Sequence, residues 1–245
     1  MIDSDWIIII EARLNSQRLP RKVLYNFNGI KSLELMIFRL SKLIPSNNIV
    51  IATTESPIDD ELISFTKSIN VHSFRGSENN VFDRVLKAAN KYNVGKIISL
   101  TADCPLIDYR IIQEMCFKFD NLEIDYMCNF DPPTFPDGME VQLFTLESIN
   151  RAERIGKSDD ELEHMGLVFR NNKEIFKTFN FMADKTKFWP RLGLTLDEPS
   201  DAILLQEILD YFSPSFSFSC EEIILLLKSS PNLVMLNSKV ERRYT

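Results

Sequence analysis

Short, continuous apolar runs alternate with segments of helical period along the first half of the chain, and this rhythm constrains the fold most. Runs such as Trp6 to Ile10 are typical of strands buried on both faces of a parallel sheet. Strand and helix alternate at intervals of roughly 20 to 25 residues, the spacing of right-handed β-α-β units. The chain is therefore predicted to form an α/β fold: a mostly parallel sheet flanked by helices.

The same patterns place the individual elements. We predict strands at 6–10, 49–53, 71–74 and 97–101, and helices at 33–44, 57–68 and 81–92. Past Ile107 the prolines at 132, 133 and 136 interrupt the rhythm, which predicts a small insert that covers a site. Beyond it we predict strands at 139–144, 175–181 and 192–196, and helices at 146–155, 159–169, 199–211 and 220–228.

Bulk properties limit the function classes. A chain of 245 residues with this pattern is expected to form one domain, residues 1–245. The net charge of -7 argues against a nucleic-acid partner, and the apolar runs are too short to span a membrane. The four cysteines form no CxxC pair, and the acidic start at Asp3 and Asp5 does not resemble a secretory signal, so cytoplasm is expected.

The loop after the first strand is strongly basic. Residues 11–22 contain Arg13, Arg18, Arg21 and Lys22 but none of the glycines of a phosphate-cradling loop. Side-chain cations would then balance the charge of a triphosphate and stabilise a departing pyrophosphate. A solvated basic turn remains the alternative interpretation.

Two aspartates follow strands in the manner of metal ligands. Asp103 comes directly after the 97–101 strand, and Asp197 follows the predicted 192–196 strand. Mg²⁺ is usually held by one or two carboxylates, with water and substrate phosphate completing its shell. The alternative for Asp197 is that it, or Ser200, only caps the helix that begins near Pro199.

Several motifs occur together in one order, at Ala12 to Lys22, Arg75 to Arg84, Thr101 to Ile107, Phe135 to Val141, Glu163-His164 and Leu194 to Asp201. In this arrangement the chain resembles the cytidylyltransferase family of the spore-coat polysaccharide synthesis type, which is related to acylneuraminate and 3-deoxy-manno-octulosonate cytidylyltransferases. The resemblance implies a Rossmann-like, glycosyltransferase-A-like nucleotidyltransferase fold. It also implies CTP as donor and Mg²⁺ as cofactor.

The resemblance further implies roles for particular residues. Catalysis is assigned to Arg13, Arg18, Lys22 and Asp103, and the metal to Asp103 and Asp197. The nucleotide would meet Ala12, Arg13, Ser16, Lys22, Arg75, Ser77, Arg84 and Asp103. The acceptor would meet Asp137, Glu140, Gln142, Glu163, His164 and Arg191, and residues 130–190 would form an acceptor-site or dimerisation subregion. Arg191 is the candidate partner of a substrate carboxylate, and a homodimer is a further expectation.

The expected reaction is transfer of CMP from CTP to an acidic sugar of the nonulosonic or 3-deoxy-octulosonic type, with release of pyrophosphate, for surface polysaccharide synthesis. Two alternatives stay open: a sugar phosphate or other phosphorylated acceptor, and an inactive nucleotide-binding homologue. Glu11, Gln17, Arg21, Asn80 and Gln142 depart from the family's usual residues. These departures bear on specificity more than on the class of reaction.

Overall fold

The computed structural model describes residues 2–92, 94–155 and 157–242. The first half contains the strands β1 (Trp6–Glu11), β2 (Asn26–Phe27), β3 (Ile30–Lys31), β4 (Ile49–Thr54), β5 (His72–Gly76) and β6 (Lys96–Thr101). Its helices are α1 (Ser32–Leu40), α2 (Asp60–Ser68), α3 (Val81–Tyr92) and α4 (Tyr109–Asp120).

The second half adds β7 (Tyr126–Cys128), β8 (Gln142–Thr145) and β9 (Thr178–Asn180). Its helices are α5 (Leu146–Glu153), α6 (Asp159–Glu163), α7 (Gly166–Asn171), α8 (Pro199–Phe212), α9 (Cys220–Ser229) and α10 (Pro231–Met235). Of the elements in the two halves, β2, β3, α4, β7 and α10 were not predicted from the sequence.

One sheet organises the molecule, in the strand order β5-β4-β1-β6-β8-β7-β9. β1 pairs in parallel with β4 and β6, and β4 with β5, whereas β8 runs antiparallel to both of its neighbours. β7 and β9 are parallel to each other. The prediction of a mostly parallel α/β sheet flanked by helices is confirmed, and β2 with β3 forms a separate small hairpin.

The continuous apolar run of β1 exists because this strand lies at the centre of the sheet. Ile8 and Ile10 belong to one hydrophobic core, and Ile7 and Ile9 belong to another on the opposite face. Successive side chains of a strand point to opposite faces, so a strand covered on both sides has no solvated face for polar residues.

Two predicted elements in the second half are wrong. The helix predicted at 159–169 is split into α6 and α7, because His164 leaves the helical region with φ -120° and ψ 82°. The segment 192–196 is no strand but an extended loop with a single bridge, between Gly193 and Asp137. Its backbone bonds go to two different loops: Leu194 N donates to Asp137 O, and Leu196 N donates to Asp103 O.

No described helix has the length and apolar character needed to cross a membrane. The four cysteines, Cys104, Cys116, Cys128 and Cys220, are buried free thiols, as the sequence predicted.

Candidate active site

Three loops meet at the carboxyl edge of the sheet around one ammonium group. Lys22 Nζ donates to Asp103 Oδ2 at 2.7 Å and to Asp197 Oδ1 at 2.8 Å. Arg18 Nη2 lies 3.0 Å from Asp197 Oδ2 and joins the same cluster. The basic loop and the two aspartates that the sequence singled out therefore share one place in the fold.

Backbone contacts hold the basic loop in this position. Leu14 N donates to Oδ1 of the fully buried Asp59 at 2.8 Å, and Arg21 N donates to Leu14 O. Arg21 itself is left-handed, with φ 61°, and this conformation directs the chain into the short turn that begins at Lys22. A side chain in that region costs on the order of 1 kcal/mol relative to glycine.

The loop that carries Asp197 is fixed by the start of α8. Asp201 Oδ2 accepts the backbone N–H groups of Asp197 and Glu198 at 3.0 and 2.9 Å, within a capping box formed by Glu198 and Asp201. Capping is thus the work of Asp201 and Glu198. The carboxylate of Asp197 contacts Lys22 and Arg18 instead.

Charge pairing controls the protonation of this cluster. Burial alone would raise the pKa of Asp103, but the ammonium of Lys22 outweighs it and holds the pKa below its usual value. Burial would likewise lower the pKa of Lys22, and the two aspartates raise it instead. Both partners are therefore charged at neutral pH.

A cavity of about 690 Å³ opens beside this cluster. It is lined by Arg18, which was assigned to catalysis, and by most of the residues that the sequence assigned to the nucleotide: Ala12, Arg13, Ser16, Lys22, Arg84 and Asp103. We call it the donor cavity. Its volume and its cations suit a nucleoside triphosphate.

The predicted nucleotide contacts Arg75 and Ser77 do not line the donor cavity. The guanidinium of Arg75 is held at the edge of the sheet, where it donates to Thr54 O, Ser56 O and Asp60 Oδ1. Ser77 is engaged locally, because its carbonyl accepts from Arg84 Nη1 and its hydroxyl accepts from Asn80 N.

A second cavity, of about 220 Å³, adjoins the first. Both cavities are lined by Glu11, Thr101, Asp103, Glu163 and His164. The smaller one also contains Asp137, Glu140 and Gln142, which the sequence assigned to the acceptor. We call it the acceptor cavity. It is shaped in part by the break between α6 and α7, which puts His164 and Met165 in its wall.

The acceptor cavity crowds several carboxyl groups together. Burial raises the pKa of Asp137 to about 6, against the opposing effect of Arg242. Burial and the neighbouring Asp137 raise the pKa of Glu140 well above its usual value. At the shared wall, burial raises the pKa of Glu11 to about 7, although Arg84 opposes this.

The structure puts a different arginine in the acceptor cavity from the one that the sequence indicated. Arg191 is exposed and lines neither cavity, whereas Arg170 lines the smaller one. Arg170 lies 5.4 Å from the Phe130 ring, its ion pair with Asp131 is long at 4.0 Å, and its buried Nε has no hydrogen-bond partner. Arg170 lies on α7, after the break at His164 and just beyond the single helix that was predicted at 159–169.

Asp103 and Asp197 are suited to hold Mg²⁺. Among the described residues no group of three or more His, Cys, Asp or Glu side chains could hold a metal ion. Two carboxylates on one cation position nevertheless match the way Mg²⁺ is bound, since water and substrate phosphate supply its other ligands. Lys22 shows that a positive charge is stable at this point.

Comparisons with known proteins agree with this geometry. Residues 7–199 match the cytidylyltransferase family. The spore coat polysaccharide biosynthesis protein SpsF of Bacillus subtilis is 28% identical over 233 residues, which cover 94% of this chain and 96% of that protein. The 8-amino-3,8-dideoxy-manno-octulosonate cytidylyltransferase of Shewanella baltica is 26% identical over 67% of this chain and 60% of its own length. A solved cytidylyltransferase from Leptospira borgpetersenii superposes with a TM-score of 0.90 at 33% identity, over 97% of this chain and 99% of that one.

Proposed function

The chain belongs to the cytidylyltransferase family and is a CTP-dependent nucleotidyltransferase, and from that premise we propose that it transfers CMP to an acidic sugar for surface polysaccharide synthesis. The sugar would be of the nonulosonic or 3-deoxy-octulosonic type, and pyrophosphate would be released. The observation that carries the proposal is the meeting of Lys22, Asp103 and Asp197 between two adjoining cavities.

The donor cavity would hold CTP. Arg13 and Arg18 are half-exposed cations at its wall, with 50% and 39% of their side chains exposed, so they can turn toward a ligand without breaking buried contacts. Arginine grips phosphate oxygens in pairs, and lysine supplies a compact point charge. We assign the triphosphate to Arg13, Arg18 and Lys22.

The acceptor cavity would hold the sugar acid. One relative of the chain is an enzyme named for an amino sugar acid. Arg170, the single arginine among the described residues that line the acceptor cavity, can pair with a carboxylate. Asp137 and Glu140 are half-buried acids with raised pKa values, able to accept or donate hydrogen bonds to sugar hydroxyl or amino groups.

The chemistry would be an in-line attack by an acceptor hydroxyl on the α-phosphorus of CTP. Asp103 and Asp197 would hold Mg²⁺, which supplies charge neutralisation for the polyphosphate. Lys22 and Arg18 would stabilise the charge that develops on the departing pyrophosphate. The shared wall at Glu11, Thr101 and His164 lets the two substrates meet. Positioning and electrostatics then suffice without a covalent intermediate.

The proposal is tested by measuring pyrophosphate release with CTP and Mg²⁺ against a panel of acceptors. The panel contains a nonulosonic acid, 3-deoxy-manno-octulosonic acid, a sugar 1-phosphate and a neutral hexose. We expect turnover with a sugar acid. Asp103→Asn should lower kcat on the order of 100-fold or more, because it removes a preorganised charge from the reaction centre.

Asp210→Asn is the matched control, because Asp210 is an exposed aspartate on α8 outside both cavities. It should leave turnover unchanged, and circular dichroism should show that all three proteins are folded at the assay temperature. Turnover only with the sugar phosphate would refute the acidic-sugar assignment. Full activity of Asp103→Asn would refute the site.

A further inference from the structure

The last described segment of the chain returns to the active site. After α10, residues 236–242 run back to the loop at 192–197, and the side chain of Arg242 is only 9% exposed. Its Nη1 donates to Thr195 Oγ1 at 2.7 Å and its Nη2 donates to Asp201 Oδ1 at 2.6 Å. Its Nε lies 3.6 Å from Asp137 Oδ2. Asp137 and Thr195 line the acceptor cavity, and Asp201 supports the loop that carries Asp197.

The guanidinium of Arg242 packs closely against the backbone of Gly193. A Cβ atom at Gly193 would lie 2.2 Å from Arg242 Nη2, so a side chain there could not coexist with Arg242 in this position. The buried Asn237 fastens the same segment, because its Nδ2 donates to Gly193 O at 3.0 Å and to Asp201 Oδ1 at 2.8 Å. Two residues of the segment thus converge on Asp201.

Asp201 connects Arg242 to the cation position. One carboxylate oxygen of Asp201 accepts from Arg242 and Asn237, and the other accepts the backbone N–H groups of Asp197 and Glu198. Asp201 is completely buried, and a buried carboxylate without a cationic partner is strongly destabilising. Arg242 therefore holds the Asp201 carboxylate in place through a hydrogen bond and, through it, fixes the backbone of Asp197.

The second connection runs to the acceptor cavity. Asp137 lines that cavity, and Thr195 Oγ1 and Arg242 are its polar contacts on the side of the 192–197 loop. Asp137 also feels the negative charges of Asp103 and Asp197, which Arg242 offsets. One guanidinium thus contacts supports of both the metal side and the acceptor side.

We propose that Arg242 is a positioning residue for nucleotidyl transfer, which fixes Asp197 through Asp201 and Asp137 directly. The proposal rests on the proposed function for its effect on turnover, but the contacts themselves can be tested without it. Arg242 lies beyond residues 7–199, the part of the chain that matches the family. Motif comparison over that span would therefore not find it.

The kinetic test compares Arg242→Ala and Arg242→Lys with Lys239→Ala, a control that removes an exposed cation from the same segment. We expect Arg242→Ala to lower kcat on the order of 100-fold and to raise the KM of the acceptor, because small displacements of reacting groups are costly. The KM of CTP should change least, since Arg13 and Arg84 do not contact Arg242. Lysine keeps the charge but not the forked donors, so Arg242→Lys should recover part of kcat.

Added guanidinium ion should restore part of the turnover of Arg242→Ala and leave Lys239→Ala unaffected, a response that a general loss of stability would not give. Should Arg242→Ala fail to fold, Arg242→Lys carries the same comparison. Wild-type kinetics in a folded Arg242 variant would overturn the proposal.

Amide hydrogen exchange over residues 193–201 separates this proposal from the proposed function. The N–H groups of Asp197 and Glu198 should exchange faster in the Arg242 variants than in wild type and Lys239→Ala, whether or not any acceptor is turned over. A wild-type protein that releases no pyrophosphate would refute the function while this exchange pattern still supported the contacts. Unchanged exchange in the Arg242 variants would overturn the role of Arg242.

Discussion

Glu11 ends β1 at the wall shared by the two cavities. Its Oε1 accepts from Ser99 Oγ at 2.9 Å, and burial raises its pKa to about 7. The nearby Arg84 opposes that rise. With a pKa of about 7, Glu11 is only partly ionised at neutral pH, so it adds less negative charge to the donor cavity than a fully ionised glutamate would.

Replacing Glu11 with glutamine should change how stability depends on pH. The folded protein holds the Glu11 proton up to about pH 7, whereas the usual pKa is 4.5, so this group makes the free energy of unfolding fall as pH rises between those values. The effect is on the order of 2 to 3 kcal/mol. Urea unfolding at pH 5 and pH 8 should show a smaller pH-dependent loss in Glu11→Gln than in wild type.

Glu147→Gln provides the comparison, because Glu147 is exposed on α5 and lies outside both cavities. It should keep the pH dependence of the wild type. If Glu11→Gln also keeps the pH dependence of the wild type, the conclusion that the pKa of Glu11 is raised is wrong.

Asn80 is a departure with a purely local explanation. Its Oδ1 accepts the backbone N–H of Asp83 at 2.8 Å, at the start of α3. Asparagine and aspartate perform this capping equally well, so an asparagine at this position supports the start of α3 as well as an aspartate would. Gln142 differs, since it lines the acceptor cavity and accepts from the Tyr126 hydroxyl at 3.0 Å. Of these two departures, only Gln142 bears on the acceptor.

Arg170→Ala should separate acceptor binding from donor binding. Loss of a hydrogen bond to a charged group costs about 1.5 to 3 kcal/mol, so the KM of a sugar acid should rise roughly 10- to 100-fold. The KM of CTP should stay close to that of wild type, because Arg170 does not line the donor cavity. Steady-state kinetics with each substrate varied in turn provides the measurement.

Arg191→Ala is the matched arginine variant, since Arg191 is exposed and lines neither cavity. A large rise in acceptor KM for Arg191→Ala, with none for Arg170→Ala, would show that Arg191, as the sequence indicated, binds the substrate carboxylate.

The strands of the first half were predictable because their environment is uniform. β1, β4 and β6 lie in the interior of the sheet, and continuous apolar runs have few other uses in a chain of this size. The same reasoning fails for residues 192–196, which were predicted as a strand and form a loop. Leu192, Leu194 and Leu196 alternate and are buried like strand residues, yet their backbone bonds connect the loops that carry Asp137 and Asp103. Periodicity reports burial and does not identify the hydrogen-bond partner.

Arg39 joins α1 to the second half of the chain in a way that no sequence pattern indicates. It is 1% exposed and donates to four backbone carbonyls, those of Leu106, Ile107, Phe216 and Phe218. Its guanidinium lies 4.6 Å from the Phe218 ring. Buried carbonyls without donors are costly, so this side chain ties α1 to the loops before α4 and α9.

Arg39→Met should destabilise the fold by about 3 to 5 kcal/mol, because four buried carbonyls lose their donors. Urea unfolding monitored by circular dichroism measures the change. Lys42→Met, which removes an exposed cation close to α1, should stay within about 0.5 kcal/mol of wild type. A similar small loss for Arg39→Met would show that water replaces the guanidinium.

The donor half of the candidate site was largely predictable, and the acceptor half only in part. Arg13, Arg18, Lys22, Asp103 and Asp197 lie in loops that directly follow or replace strands, where the parallel-sheet rule directs attention. Arg170 and Arg242 sit on a helix and on the final segment, which that rule does not cover. Their placement depends on tertiary packing between distant parts of the chain.

Ligand binding should stabilise the entire fold, since the cavities draw on loops from both halves of the sheet. CTP with Mg²⁺ at about 100 times its Kd adds about 2.7 kcal/mol, a rise in Tm of roughly 5 to 10 °C for a chain of this length. UTP, ATP and GTP should give smaller shifts, and Asp103→Asn should lose most of the CTP response. Equal shifts with all four nucleotides would refute cytosine selection.

The ammonium of Lys22 already fills the position between Asp103 and Asp197 to which we assign the magnesium ion. Mg²⁺ held by Asp103 and Asp197 would take the place of the ammonium, and Lys22 would then be free to pair with the polyphosphate tail. Metal binding and nucleotide binding would thus be coupled, and each would raise the affinity for the other by the same factor. The ammonium of Lys22 also offsets the mutual repulsion of two neighbouring carboxylates, so that Asp103 and Asp197 can lie close together.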